Sequence, residues 1–309
     1  MSTIAAILAP VFLVVLLGWV LARSEFLSAQ TLAELNRLTY WLGLPALLIV
    51  KLAAAEPDVG GVLNLLFVLV GATLLGMLLA ALVSRRMGLP VAGQGSFTQG
   101  GFRGNLAFIG LPVVVYAFQS DAAVVGDTLL VLGPLMVLYN VLAVLVLLPS
   151  GDHHRGVTPW RILRTLLTNP ILIACLIGLA LSLSALALPA IVERTLSALG
   201  QMALPLALIC IGGGLAHTTL RGSVLHATTA AVIKVAAIPL IGGLLGLAVG
   251  LATHELRVAL ILLASPTAVA SYVLARQMGA DATLASGIIL MSTLLALPAL
   301  AVVLAVTAA

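Results

Sequence analysis

The stretch Gly100-Gly-Phe-Arg-Gly-Asn-Leu-Ala-Phe-Ile-Gly-Leu-Pro112 decides how this chain folds. It lies inside an apolar segment, 94–119, that is long enough to cross a bilayer. The stretch contains four glycines, a proline and Arg103, all of which are unfavourable in a continuous membrane-spanning helix. Bare backbone and charge are tolerated at membrane depth only where they line a cavity or are buried in protein. The stretch therefore predicts a helix that breaks at Gly104-Asn105 and restarts.

The composition of the whole chain is that of an all-α polytopic membrane protein. Its 309 residues are 62% hydrophobic and 8% charged, whereas soluble domains average about 25% charged residues. Basic residues stand singly between apolar runs, so no cationic surface for nucleic acid is predicted. Ten apolar segments have the length of a transmembrane helix. They run over roughly 4–22, 32–53, 61–84, 94–119, 124–148, 169–188, 192–216, 223–251, 257–278 and 282–307.

The lysines and arginines between these segments and near their ends predict the orientation. With both termini outside the cell membrane, nine basic residues fall on the cytoplasmic side and three outside, which satisfies the positive-inside rule. The cytoplasmic set is Arg23, Arg37, Arg85, Arg86, Arg155, Arg161, Arg164, Arg221 and Arg276, and the outer set is Lys51, Arg194 and Arg257.

The two halves of the chain resemble each other at an offset of 160 residues. Leu44-Pro-Ala-Leu-Leu-Ile49 matches Leu204-Pro-Leu-Ala-Leu-Ile209, and Asp121 matches Asp281. Five segments per half would insert the second half upside down, which is a common plan for secondary transporters. We expect a first repeat over 1–150, a cytoplasmic linker over 151–168 and a second inverted repeat over 169–309. The fourth and ninth helices would then be broken and would cross.

Two cations inside apolar segments, Arg103 and Lys234, predict where a ligand binds. All ten Asp and Glu residues lie in loops or at segment ends, so neither cation has an evident acidic partner at depth. An interior cation without a partner requires an anion, and a substrate is the simplest source. Two alternatives remain open: Arg103 could extend to the cytoplasmic surface, and Lys234 could be bonded to a neighbouring carbonyl.

The breaks predict the rest of the site. Asn105 is a suitable N-cap, and Ser265-Pro266 suits an N-cap followed by proline at the first helical position. The amides that begin each second half-helix would point at the crossing, where they favour anions. The predicted hinges are Gly104, Pro112 and Pro266. The predicted substrate contacts are Arg103, Gly104, Asn105, Phe108, Lys234, Ser265, Pro266, Thr267 and Tyr272.

Four further residues are weaker candidates for lining the site. They are Gln99, Phe102, Asn140 and Ser271, each of which is more often an ordinary interhelical hydrogen bond or packing residue. We predict no metal site and no cofactor, and we find no nucleophile–base pair at depth that would indicate an enzyme. A coupling ion, H⁺ or Na⁺, stays open.

Two motifs resemble a known family. Asn105-Leu-Ala-Phe-Ile-Gly-Leu-Pro112 is similar to the fourth-span signature of the auxin efflux carrier family, which includes plant PIN carriers and bacterial malonate or malate permeases. Ala264-Ser-Pro-Thr267, followed by Val273-Leu-Ala-Arg-Gln-Met-Gly-Ala-Asp281, resembles its ninth-span pattern. The plant carriers have Pro-Asn at the first break, where this chain has Gly104-Asn105, so hormone specificity does not carry over.

The resemblance implies the fold of sodium–bile acid symporters. In that fold spans 1, 2, 6 and 7 form a scaffold, and spans 3–5 and 8–10 form a mobile core with two crossing broken helices. It also implies a homodimer and elevator-type movement. We therefore expect a transporter for a small mono- or dicarboxylate. A transport-inactive sensor or scaffold, and a sodium-coupled symporter of a larger amphipathic anion, are the alternatives.

Overall fold

The computed structural model describes residues 2–54, 59–118, 121–150, 168–184, 186, 188–216, 218 and 222–307. Nearly all of these residues are helical. The α-helices in the first half are α1 Ser2–Arg23, α2 Ala29–Leu38, α3 Leu44–Ala53, α4 Val59–Arg86, α5 Val91–Phe102, α6 Leu111–Ala117 and α7 Ala122–Leu147. Those in the second half are α8 Pro170–Ser184, α9 Ala190–Gln201, α10 Ala203–Ala216, α11 Val224–Val232, α12 Ile238–Val249, α13 Thr253–Ala264, α14 Ala270–Gln277 and α15 Ala282–Val306.

The predicted apolar segments match these helices. Each coincides with one helix or with two consecutive ones, and the prediction of an all-helical membrane protein is confirmed. Ten spanning helices in two inverted repeats stay a prediction, and the linker 151–168 lies outside the described residues except for Thr168. The stretches that are long and apolar enough to span are Thr3–Arg23, Gly60–Arg86, Ala122–Ser150, Ala190–Ala216, Val224–Val249 and Ala282–Val306.

Three wide π-helical turns precede prolines inside the bundle. They cover Thr39–Gly43, Leu106–Gly110 and Ile233–Ala237. The second residue after each turn is proline: Pro45, Pro112 and Pro239. A proline has no N–H to donate, and its ring would clash with the carbonyl four residues earlier. A wider turn moves that carbonyl aside, so each helix continues past its proline, and such turns often lie at functional sites.

Small residues bring the helices close together. A Cβ added at Gly212 of α10 would overlap the carbonyl oxygen of Val15 in α1, so the two backbones touch. Close approach through glycine is typical of packing between membrane helices. Elsewhere α3 packs against α8 and α9, and α4 packs against α5 and α12. Leu13, Phe67 and Leu240 point outward, as residues facing lipid do.

The helices that follow the two predicted breaks begin in the same way. Asp121 accepts a hydrogen bond at 3.1 Å from the Val124 amide at the start of α7. Asp281 accepts one at 2.8 Å from the Leu284 amide at the start of α15. Because N-cap carboxylates satisfy amides that have no partner within the helix, each aspartate fixes where its helix begins.

Candidate functional site

Two helices are interrupted in the middle of the bundle. Helix α5 ends at Phe102, and helical structure resumes only at Leu106. Glycines 100, 101 and 104 weaken helix formation there because each loses more backbone entropy than other residues do. Helix α13 ends at Ala264 and the next helix starts at Ala270. Ser265 adopts extended angles, φ −60° and ψ 142°, as a residue before proline prefers.

The two unwound segments pair with each other. Gly104 and Thr267 form an isolated antiparallel bridge. The Asn105 amide donates to the Pro266 carbonyl at 2.7 Å, and the Ala268 amide donates to the Arg103 carbonyl at 2.9 Å. Each break thus supplies the hydrogen bonds that the other has lost, and unwound backbone at this depth requires such partners.

Thr267 joins the bridge to its surroundings. Its Oγ1 donates to the Gly100 carbonyl at 2.7 Å, close to the end of α5. Its amide donates to Ser292 Oγ of α15 at 3.0 Å. Thr267 is 1% exposed, so both hydrogen bonds lie in a dry environment, and together they fix the crossing in one arrangement.

Gly104 is a glycine because the side chains of Ser265 and Lys234 converge on it. An added Cβ would lie 2.9 Å from Ser265 Oγ, 3.1 Å from Lys234 Cε and 3.3 Å from Lys234 Nζ. The serine hydroxyl is itself held by the Leu262 carbonyl at 2.6 Å. A side chain at residue 104 would therefore push against groups that are already fixed.

Lys234 lies fully buried in the third π-turn, behind this bridge. Its Nζ donates to the Leu263 carbonyl at 2.5 Å. That carbonyl belongs to the last turn of α13, where the helix ends without its own donors and carries partial negative charge. The geometry supports the alternative of a bond to a neighbouring carbonyl, since Lys234 stabilises the end of the interrupted helix.

Arg103 is also buried, at 7% exposure, which excludes the alternative that its guanidinium extends to the surface. One arm, Nη2, donates to Asn140 Oδ1 of α7 at 2.5 Å. The Tyr40 hydroxyl in the first π-turn is near enough to interact with the guanidinium electrostatically. Nη1 has no hydrogen-bond partner among the described residues. Arg103 therefore presents one free donor arm beside the crossing.

The two predicted N-caps differ from expectation. Asn105 occupies the position before the second half-helix, but its side chain does not cap that helix. The prediction of Ser265-Pro266 as N-cap and first helical residue is wrong, because Ser265 caps the C-terminal end of α13 and Pro266 lies in the link. Pairing with Asn105 keeps Pro266 extended and delays the new helix to Ala270.

The remaining predicted residues lie outside the bridge itself. Phe108 is half-buried in the second π-turn, and Pro112 lies near the start of α6. Tyr272 is 36% exposed on α14 and does not belong to that helix's buried face. Among the described residues, no group of three or more His, Cys, Asp or Glu side chains could hold a metal ion.

Tyr139 is a site residue that the sequence analysis did not select. It is buried at 3% exposure, lies near the backbone of Gly104 and accepts a hydrogen bond from Thr73 Oγ1 at 3.3 Å. Its ring meets Phe102 edge-on with centroids 6.0 Å apart. The polar pair Tyr139-Asn140 within the apolar second half of α7 was the available signal.

Comparison with known proteins identifies the family. The model of the membrane transport protein family matches residues 3–158 and 153–304. An uncharacterized transporter of Methanothermobacter thermautotrophicus (strain Delta H) is 29% identical over 301 residues, which cover 94% of each chain. The resemblance to auxin efflux carriers is thereby confirmed, and this family consists of transporters, not enzymes. The chain belongs to the membrane transport protein family.

Proposed function

We propose that this chain is a secondary transporter of a small organic anion, a carboxylate that binds where the two interrupted helices cross. The observation that carries the proposal is Arg103, a buried cation with one arm free and no carboxylate partner among the described residues. A buried charge without a counterion is costly, and a bound anion removes that cost. Arginine also presents its donors in a planar arrangement that suits a carboxylate.

The helix that follows the first break supports an anion at the same place. From Leu106 onward the chain is helical to Ala117. The Asn105 carbonyl accepts from the amides of Ile109 and Gly110 at 3.1 and 3.0 Å. The earlier amides of this helix have no acceptor within it and give its start a partial positive charge. The buried side chains of Asn105 and Thr267 lie beside that start.

The packing of the two half-helices supports alternating access. On one side of the crossing, α6 packs against α1, and the second π-turn packs against α10. On the other side, α14 packs mainly on α5, α7 and α15, and its Val273 and Arg276 are exposed. The two half-helices are thus packed differently, and an alternating carrier requires that the two sides of its site open at different times.

We assign the moving parts by these contacts. Helices α1–α3 and α8–α10 pack mostly on one another and would form the scaffold. Helices α4–α7 and α11–α15 carry the crossing and would move against that scaffold as an elevator. The proposal includes ten spans in two inverted repeats, a homodimer in the plasma membrane and both termini outside. The coupling ion is H⁺, Na⁺ or none.

Uptake into proteoliposomes tests the proposal. We expect wild-type protein to accumulate labelled small carboxylates, and Arg103→Ala and Asn105→Ala to lower the initial rate at least about tenfold, the usual effect of removing a charged hydrogen-bond partner. Arg86→Ala is the matched control, because Arg86 is exposed at the end of α4. Sodium and pH gradients applied to the same vesicles identify the coupling ion.

Three outcomes of this experiment would count against the proposed transporter or its site. Wild-type rates in both site variants would refute the site at the crossing. An absence of flux with any carboxylate, together with specific binding, would favour a sensor. An equal loss in Arg86→Ala would show that any lost arginine impairs the protein.

A further inference from the structure

Several polar atoms next to the crossing are buried without a partner in the described part of the chain. They are Ser96 Oγ, both amide atoms of Gln99, Arg103 Nη1 and Ser271 Oγ. Gln99 is fully buried, and both serines are 1% exposed. Because buried polar groups in proteins are almost always hydrogen-bonded, these atoms indicate a partner that the chain itself does not supply.

Three of these residues share one face of α5. Ser96, Gln99 and Arg103 are spaced three and four residues apart, which places them one above another on a helix. Arg103 continues the last turn, since its amide donates to the Gln99 carbonyl at 3.0 Å. We call Ser96, Gln99 and Arg103 the polar stripe.

The side of α5 that carries Gln99 and Arg103 faces α7, and α14 packs against both of these helices. A Cβ at Gly95, one turn before Gln99, would meet Val146 and Leu147 of α7, and Arg103 reaches Asn140 on the same helix. Ser271 and Ala275 are the buried residues of α14, which packs against α5 and α7. Ser271 lies one turn after Thr267, whose hydroxyl is bonded to Gly100. Ser271 is therefore level with the stripe.

Two cations lie at the crossing, and one of them already has a hydrogen-bond partner. Lys234 Nζ donates to the Leu263 carbonyl, so Arg103 Nη1 is the cationic nitrogen at the crossing that lacks a hydrogen-bond partner within the described residues. The guanidinium compensates one carboxylate, and a second carboxylate would have to compete with the Leu263 carbonyl for Lys234. The amide of Gln99 and the two serine hydroxyls offer neutral donors and acceptors.

We propose that the site takes an organic acid with one carboxylate and a hydroxyl or carbonyl group next to it. This inference rests on the proposed transport function and narrows its substrate class. The carboxylate binds Arg103 Nη1, and the neighbouring group pairs with Gln99 and the serines of the stripe and α14. A plain alkyl acid would leave these polar groups without partners, and sites built for a hydroxyl discriminate strongly against analogues that lack it.

Three acids of equal carbon number test the proposal on the wild-type protein. Propionate is a plain monoanion, lactate adds a 2-hydroxyl, and malonate is a dianion at neutral pH. Dissociation constants come from thermal shifts of the purified full chain. We expect lactate to bind at least about tenfold more tightly than either of the others, a modest value for a hydroxyl-specific site.

Variants of two glutamines on the same helix assign the effect to the stripe. Gln99→Leu should reduce the preference for lactate over propionate to about twofold or less, since the hydrogen bond to the hydroxyl is lost. Gln99→Glu should abolish binding of all three acids, because the new carboxylate occupies the Arg103 arm. Gln94 donates to the Leu89 carbonyl at the start of α5, so Gln94→Leu is the matched control and should keep the wild-type preference.

The outcomes separate this inference from the proposal on which it rests. Carboxylate uptake without a preference for lactate would overturn the inference and leave the transport function standing. An unchanged preference in folded Gln99→Leu would also overturn it. If none of the acids binds or is transported, both proposals fail. If a Gln99 variant does not fold, the comparison of lactate, propionate and malonate binding to the wild-type protein still tests the inference.

Discussion

Replacing Thr267 with valine tests whether the crossing is held as the structure indicates. Valine keeps the shape of threonine and removes only the hydroxyl that donates to the Gly100 carbonyl at 2.7 Å. That carbonyl lies in the last turn of α5, where helical amides no longer reach it. The variant would leave a buried acceptor without its donor, and the backbone pairs of the bridge would remain.

The expected loss of stability follows from the unpaired Gly100 carbonyl. Leaving a buried acceptor without a partner costs about 1–3 kcal/mol. A loss of about 2 kcal/mol lowers the melting temperature by roughly 4–8 °C if the relation for domains of 150–250 residues applies. We also expect weaker carboxylate binding, because the two unwound segments would no longer be held in one arrangement.

The control is Thr128→Val. Thr128 is fully buried in α7, and its hydroxyl donates at 2.8 Å to the Val124 carbonyl four residues earlier. That carbonyl keeps its backbone partner within the helix, so the loss of the Thr128 hydroxyl should cost only about 0.5 kcal/mol, well under the value for Thr267.

Unfolding can be followed with a thiol-reactive dye, since both cysteines, Cys175 and Cys210, are free and buried. Equal melting temperatures for Thr267→Val, Thr128→Val and the wild type would refute the structural role of this hydrogen bond. A large effect of the control alone would show that threonine hydroxyls act within helices and not across the crossing.

Three further predictions use the same melting assay. Gly212→Ala should destabilise the protein by about 1–3 kcal/mol, because the added Cβ would overlap the Val15 carbonyl of α1. Gly214→Ala should be neutral or stabilising, because no atom lies within 4 Å of the added Cβ. Asp121→Ala and Asp281→Ala should each lower the free energy of unfolding by about 1 kcal/mol. Clearly unequal losses would contradict the prediction that the two aspartates cap their helices equally well. Asn140→Asp places a carboxylate next to Arg103, and this ion pair should raise the melting temperature and weaken the binding of carboxylate substrates. Unchanged carboxylate binding in this variant would contradict a role for Arg103 in the site.

The position of the first break was predictable because its causes are local. Three glycines and a charge within five residues disfavour a helix wherever that stretch lies, and the break falls at Arg103–Asn105. The start of the second half-helix was not predictable in the same way. Ser265-Pro266 is a strong local signal for a helix start, but pairing of Pro266 with Asn105, far away in the sequence, keeps it extended. Local propensity gives way there to a tertiary contact.

The hydrogen-bond partners of the two interior cations could not be predicted either. The sequence shows that neither has a carboxylate nearby, but it does not show which carbonyl or amide each one meets. Lys234 meets Leu263, 29 residues further along the chain, and Arg103 meets Asn140, 37 residues further along. Such pairs depend on how helices pack, and a hydropathy pattern does not contain that information.

The contrast between these cations explains why only one of them is suited to bind a substrate. A lysine has a compact charge, and in this structure the Leu263 carbonyl at the negative end of α13 binds it. An arginine spreads its charge over two arms, so Asn140 can hold one arm while the other stays free. The lysine thereby completes the broken helix and positions the bridge at Gly104. The arginine, positioned by the same break, keeps a donor for an anion that enters and leaves.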